Sequence, residues 1–571
     1  MTMPRQFLVL LALVSVLSPI EAQDRGAAGK PRAKLAVMLV FDQLRADYLM
    51  RYKELFGQGG FNRFLDQGAW FQEAHYPYAF TVTGAGHASL ATGCPPKVHG
   101  ILGNDWRDRA TGDEIYCATT ERVRNIPEAP PPSSSQGTKR AGGGSPERLL
   151  VPTVSDLLRK QSPQSRVAGF SLKDRGAVLP CGRQGTCVYF WDSSTGLFGT
   201  SSYYRDAVAP WVDAFNKSRP ADKWFNGTWD RLRPDLDYAK LAGPDDMDGE
   251  GPGIERKQGR IFPHPFPTKS TDGRPDKTYY NALYNSPFSN EILADLAIRA
   301  IAEEQLGQRD VTDFLEVSFS ANDVVGHCYG PDSQEVLDTL LRSDRILARL
   351  FAELDARVGA DNWIAVLSAD HGVCPLPELS RRRGDDGAVR LDGPGVFKGL
   401  CAHLREKFKL GEKDQPFYGT MDENMYFNPG PFRKVNAEMA AVAQSAREFL
   451  EKQKGIARVY TRARLEGLTN PDQIDRMVLE SYRPDSSGDL LIVLAPGCLV
   501  NTATTTTGTS HGTPYRYDTH VPLLVTGKGV VPGPRAGKVN VLAFGAILAE
   551  IMGVEPLPQA VTLPEGLFSG R

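Results

Sequence analysis

The chain lacks the charge excess that would draw it to nucleic acid or to an anionic membrane. Its 66 Lys and Arg face 68 Asp and Glu, a formal net charge of −2, which leaves only a local basic pocket as an anion site. It has no paired CxxC motifs, so a zinc ribbon is excluded. Beyond the first residues no apolar run is long enough to span a bilayer, so no membrane anchor is expected. No cysteine precedes Cys94, which removes a lipid-attachment cysteine near the start.

What the beginning does contain is an export signal. Arg5 precedes the apolar run 7–17, too short for a transmembrane helix and suited to a secretory leader. A signal peptide over residues 1–22, cleaved after Ala22, is expected, with a periplasmic or secreted product. The eight cysteines are an even number in an exported chain, which favours disulfides. Cys181 with Cys187, and Cys94 with Cys117, are the expected pairs.

Residues 34–41 (KLAVMLVF) form a nearly continuous apolar run, as in a strand buried on both faces. Strands at 166–171, 314–319 and 363–367 alternate with helical patterns such as 332–358, whose Val336, Leu337, Leu340, Leu341, Leu347 and Leu350 share one face. The fold class is α/β, a mostly parallel central sheet with helices on both faces and inserted cap segments. The main domain should cover 34–571, with insertions at about 200–277 and 376–489 and a flexible Pro/Ser/Gly-rich loop at 127–146. There is no internal repeat.

Ligands in such sheets gather at the carboxyl ends of the strands, and there the chain places its chemistry. Asp42, Asp323, His327, Asp370, His371 and His511 each follow an apolar run or lie in a polar loop beside one. Asp323 and His327 are four apart and share a face if helical. Three carboxylates and three imidazoles exceed what one tetrahedral zinc needs. Thr83 opens a Gly-rich turn leading into a helix, near its N-cap. A hydroxyl is a poor nucleophile near neutral pH, and a metal and a helix N-terminus both favour its alkoxide. The combination points to a two-metal hydrolase with a threonine nucleophile.

The ordered motifs Thr83-Gly-Ala-Gly-His87, Thr92-Gly93, Val98-His99-Gly100-Ile101, Gly103-Asn104-Asp105-Trp106, Ser171-Leu172-Lys173-Asp174-Arg175-Gly176, Phe319-Ser320-Ala321-Asn322-Asp323, Ser368-Ala369-Asp370-His371-Gly372 and His511-Gly512-Thr513-Pro514 resemble the alkaline phosphatase superfamily. The resemblance is strongest to its phosphate-irrepressible, PafA-type branch, in which Thr stands where the better-known enzymes have Ser. It covers roughly residues 34–527.

The resemblance implies two zinc ions, one held by Asp323, His327 and His511, the other by Asp42, Asp370, His371 and the Thr83 oxygen. It implies hydrolysis of small-molecule phosphate monoesters through a phosphothreonine. Asn104, Lys173 and Arg175 would bind the phosphoryl oxygens, Arg175 in bidentate fashion. His87 and His99 would support the site from behind, and His520 is a further supporting candidate. The oligomeric state stays open.

Three rivals share these residues. A two-zinc phosphodiesterase or nucleotide pyrophosphatase would use the same six ligands, but a diester carries one charge less than a Lys–Arg clamp suits. A sulfatase would need C/S-x-P-x-R, and Cys94-Pro95-Pro96-Lys97-Val98 has Val where Arg belongs. A non-catalytic exported binding protein should have lost a ligand or the nucleophile, and all seven are present.

Overall fold

The computed structural model describes residues 30–128, 142–421, 423–502 and 504–570. The leader expected at 1–22 and most of the loop at 127–146 lie outside these residues. Ten strands form the central sheet: β1 (Leu35–Phe41), β2 (Ala69–His75), β3 (Asn125–Ile126), β4 (Val167–Ser171), β5 (Cys187–Asp192), β6 (Leu197–Ser201), β7 (Asp313–Phe319), β8 (Trp363–Ser368), β9 (Leu523–Gly527) and β10 (Gly533–Asn540). Their order is β10-β2-β9-β8-β1-β7-β4-β5-β6-β3.

The five central strands β8, β1, β7, β4 and β5 are mutually parallel, with Leu35 level with both Asp313 and Trp363. β9 runs antiparallel between β8 and β2, and β6 and β3 are antiparallel at the other end. Every residue of β1, β7 and β8 is buried, which is why β1 and β8 run apolar rather than alternating, while β7 buries Asp313 and Glu316 among its apolar residues.

Helices cover both faces. The ones used below are α1 (Thr83–Thr92), α2 (Asp174–Cys181), α3 (Lys277–Tyr284), α4 (Phe288–Glu303), α5 (Ala321–Tyr329) and α6 (Gln334–Leu354). Ser333 caps α6 by accepting from the Val336 N–H, an ordinary Ser N-cap. Because the central strands share one direction, Asp42, Lys173, Asp323 and Asp370 all lie just past carboxyl ends on the same edge of the sheet.

The second half of the chain builds a separate core around Leu400, Phe432, Val442, Val459 and Leu490. The strand Leu490–Leu494 belongs to this lobe, not to the central sheet. It pairs with Asn424–Met425 and Ile456–Thr461 in a small antiparallel sheet. Nothing in its apolar sequence names its partner.

The disulfide expectation fails: none of the eight cysteines is in a disulfide. A β-carbon on Gly169 would meet Cys181 Sγ at 2.2 Å, so residue 169 faces α2. Neighbouring Ala168 therefore faces the other way, and Cys187 sits level with Ala168 in β5. The two sulfurs point to opposite faces of the sheet despite their closeness in sequence. Cys94 and Cys117 are held apart by a helix. The Cys94 thiol donates to the Thr92 carbonyl at the end of α1, while Cys117 Sγ abuts Gly84 at its start. Eight residues of helical rise are roughly 12 Å, beyond disulfide reach.

Candidate active site

The nucleophile candidate is held by two close approaches. Thr83 is the first residue of α1 and is 1 % exposed; the N-cap is Val82, in extended conformation. A β-carbon at position 86 would lie 2.2 Å from the Asp370 carbonyl oxygen, and one at position 84 would lie 2.9 Å from both the Gly103 carbonyl and Cys117 Sγ. The Thr-Gly-Ala-Gly motif thus lets the first turn of the helix press onto the end of β8 and the loop carrying Asn104. The Asn104 Oδ1 accepts the Gly84 N–H at 2.8 Å, satisfying one open helix donor. This fixes the amide so that its NH2 is the free end.

Around Thr83 the sequence-derived residues converge. Ligand-capable atoms of Asp42, Asp370 and His371 lie within 4.8 Å of one another, and so do those of Asp323, His371 and His511. His327 Nε2 is 3.1 Å and His511 Nε2 3.9 Å from Asp323 Oδ1. The expected spacing argument holds for Asp323 and His327, which share a face of α5. His371 is placed between the two groups, its ring stacked on His511 with centroids 3.5 Å apart.

The second ring nitrogens explain the orientation. Nδ1 of His327 donates to the Thr509 carbonyl at 2.7 Å, Nδ1 of His371 to the Gly372 carbonyl at 2.9 Å, and Nδ1 of His511 to the Thr81 carbonyl at 2.7 Å. Each imidazole is thereby held with its Nε2 lone pair facing the carboxylates, the arrangement of a metal ligand.

The donor set fits divalent metal. Asp42 Oδ1, Asp370 Oδ2 and His371 Nε2 are buried and have no hydrogen-bond partner in the protein. Three orphaned lone pairs converging in one place are costly unless something electropositive meets them. Mixed nitrogen and carboxylate donors suit zinc.

The electrostatics agree. Burial and the neighbouring Asp323 and Asp370 push the Asp42 carboxyl well above its usual range. For Asp323, burial is outweighed by His327 and Lys173, which hold it low. Burial, with His371 and His327 beside it, holds His511 well below the usual imidazole range, hence neutral.

The cations lie across this cluster. Lys173 Nζ is 2.6 Å from Asp42 Oδ2 and 2.5 Å from Asp323 Oδ2, joining the two groups. Although burial opposes it, those two carboxylates raise its pKa. The Arg175 guanidinium reaches Thr83 Oγ1 at 3.4 Å through Nη2 and the Tyr116 hydroxyl at 3.2 Å through Nη1. Tyr116 in turn donates to Asp174.

His87 bridges the Thr83 carbonyl and the Ser318 hydroxyl, 3.4 Å from Asp370. His99 joins Ser89 to the Ile101 N–H, and burial lowers it to about 3. Both stand behind the site, as expected. His520 is elsewhere, stacked on His75 beside Glu73.

One contributor escaped the sequence. Gln43, in left-handed conformation at φ 66°, donates its backbone N–H to Asp370 and its amide to Asp323 Oδ1 at 2.8 Å. A glutamine beside Asp42 carries no signal for this; only its unusual backbone does.

An edge of parallel strands bearing two carboxylate–imidazole groups, a helix-borne hydroxyl and a Lys–Arg pair defines a class, and comparison with known proteins names it. Residues 36–515 match the model of the type I phosphodiesterase / nucleotide pyrophosphatase family, and the chain belongs to that family. It is 35% identical to alkaline phosphatase PafA of Elizabethkingia meningoseptica, covering 98% of this chain and 99% of that one. It is 33% identical to alkaline phosphatase PhoV of Synechococcus elongatus, over 92% of this chain and 93% of the relative. A crystal structure of wild-type PafA superposes with a TM-score of 0.85 over 95% of this chain and 99% of that chain, at 32% identity.

Proposed function

We propose that this protein is an exported two-zinc alkaline phosphatase that hydrolyses phosphate monoesters through a phosphothreonine on Thr83. The observation that carries this is the Lys173–Arg175 pair beside Thr83, with Arg175 Nη2 3.4 Å from the hydroxyl oxygen. One zinc would be held by Asp323, His327 and His511, the other by Asp42, Asp370, His371 and the Thr83 oxygen. When bound, the two ions supply Lewis-acid charge at the attacking and leaving oxygens.

The chain's own residues do the rest. Thr83 Oγ forms a bond to phosphorus as the ester oxygen leaves with a proton as the alcohol. Water then attacks the phosphothreonine, releasing inorganic phosphate and restoring the hydroxyl. The amino end of α1 favours negative charge at Thr83. Arg175 and the Asn104 amide hydrogen-bond the non-bridging oxygens, and Lys173 opposes the second negative charge of a monoester.

A diesterase reading is favoured by the family's description, and the clamp discriminates the two. Thr83→Ala should reduce hydrolysis of 4-nitrophenyl phosphate to background. Arg175→Ala should cost the monoesterase about 10²-fold or more in kcat/KM and the diesterase much less. Equal losses on both substrates would overturn the monoesterase assignment. Among the described residues no helix is long and apolar enough to cross a membrane.

A further inference from the structure

A second group of ligand-capable side chains stands at the carboxyl end of β2, outside the cluster around Thr83. Glu73 and His75 are two residues apart in β2 and therefore point to the same face. His520 follows the short helix Arg516–Thr519 and pairs with His75 in an isolated antiparallel bridge. The bridge sets the two rings side by side, stacked with centroids 4.7 Å apart. One ligand-capable atom from each of Glu73, His75 and His520 lies within 4.8 Å of the other two.

The hydrogen bonds orient both imidazoles. Nε2 of His520 is 2.9 Å from the Gln72 carbonyl. A carbonyl only accepts, so this nitrogen carries the proton and Nδ1 keeps its lone pair. Nδ1 of His75 is 3.5 Å from the Thr519 hydroxyl, and its Nε2 is 2.9 Å from Glu73 Oε2. Arg516 Nη1 donates to Glu73 Oε2 and lies 3.4 Å from His75 Nε2, while Nη2 donates to Glu73 Oε1 at 2.8 Å. A guanidinium nitrogen can only donate, so with Nδ1–H of His75 turned to Thr519, Nε2 is the acceptor. A cationic nitrogen thus already sits against both ligand atoms. The Arg516 side chain is 59% exposed and that of Glu73 40%, and an ion pair so open to water is worth little. An ion arriving from solvent can displace it.

We propose that Glu73, His75 and His520 form a further metal site, separate from the cluster around Thr83, which takes zinc or another late first-row divalent ion in competition with Arg516. Two imidazoles and one carboxylate are a zinc donor set with a position left for water. Imidazole selects such ions over magnesium and calcium, which prefer oxygen. A bound ion would staple β2 to the segment across the bridge. That segment includes Tyr517 and Asp518, whose carbonyls accept the N–H groups of Val373 and Gly372, the residues that follow His371. The staple therefore braces a loop of the candidate active site from outside.

The test does not depend on the proposed activity. Zinc-loaded protein is dialysed against buffered free zinc, and zinc per chain is measured across a range of concentrations. The wild type should hold one zinc more per chain than the His75→Gln/His520→Asn double variant. Added zinc should also raise its melting temperature more than that of the variant. Arg516→Gln, which removes the competitor, should tighten the extra zinc by about threefold. Circular dichroism reports that each variant is folded, and Glu73→Gln supplies an independent loss of the site should the double variant not fold. Equal zinc content and equal melting shifts in wild type and variants would overturn the site, leaving an ion pair beside two stacked rings. An extra zinc that persists without these side chains would be held elsewhere and would overturn the assignment as well.

Discussion

Gly86 sets how close Thr83 comes to the candidate metal-binding cluster, because only a hydrogen fits between α1 and the Asp370 backbone. Gly86→Ala would place a methyl 2.2 Å from a carbonyl oxygen, so the helix must shift. We expect a cost of about 1–3 kcal/mol in stability and a larger proportional loss of kcat, because displacing Thr83 spoils its alignment. Thermal melting with phosphatase assays checks this; unchanged kcat would show that the close approach is dispensable. At this scale the sequence was most legible where residue type is chemically rare. Asp42, Thr83, Asp323, His327, Asp370, His371 and His511 stood out as donors after apolar runs, and the fold brings them together. Gln43 did not stand out, since a glutamine that holds one carboxylate by its backbone N–H and another by its side-chain amide looks like any polar residue until the backbone is seen.

Arg175 depends on an element that its own segment does not contain. The strands Asp105–Arg107 and Glu114–Tyr116 form a hairpin whose base ties Cys117 N–H to the Asn104 carbonyl. One hairpin therefore places both Asn104 and the Tyr116 hydroxyl that meets Arg175. Tyr116→Phe removes that acceptor without removing the ring. It should lower monoesterase kcat/KM by about tenfold, the worth of one hydrogen bond to a charged group, with little change for a diester. Equal losses on both substrates would make Tyr116 merely structural. Such short strands have no apolar periodicity to read, which is why this support was invisible in the sequence. Periodicity named the long elements, β1, β7, β8 and α6, because a sheet buried on both faces demands it. The disulfide inference failed for a related reason: Cys181 and Cys187 are near in sequence, but Cys181 ends a helix on one face of the sheet while strand alternation turns Cys187 to the other.

Across the whole molecule, the segment preceding α3 is anchored behind the candidate metal-binding cluster by a backbone hydrogen bond next to a buried acid. Glu250 is 1 % exposed, and its neighbour Gly251 donates its N–H to the carbonyl of Cys328, the residue after His327. Burial, reinforced by Glu335, raises the Glu250 carboxyl to about 9 from 4.5. Asp518, also buried, is raised to about 7. An acid whose folded pKa is raised contributes stability that is complete below its unfolded pKa and is lost as pH rises through the folded value. For Glu250 that window is 4.5 to about 9, and within it each pH unit removes up to about 1.4 kcal/mol. Asp518 has completed most of its loss by pH 7, so between pH 7 and 9 Glu250 carries the remaining slope of this pair. Glu250→Gln keeps the shape without the titration. Its melting temperature should fall less than that of the wild type between pH 7 and pH 9, making the variant relatively more stable at the alkaline end. Parallel declines in the two proteins would remove Glu250 from this role and assign the alkaline loss to other groups.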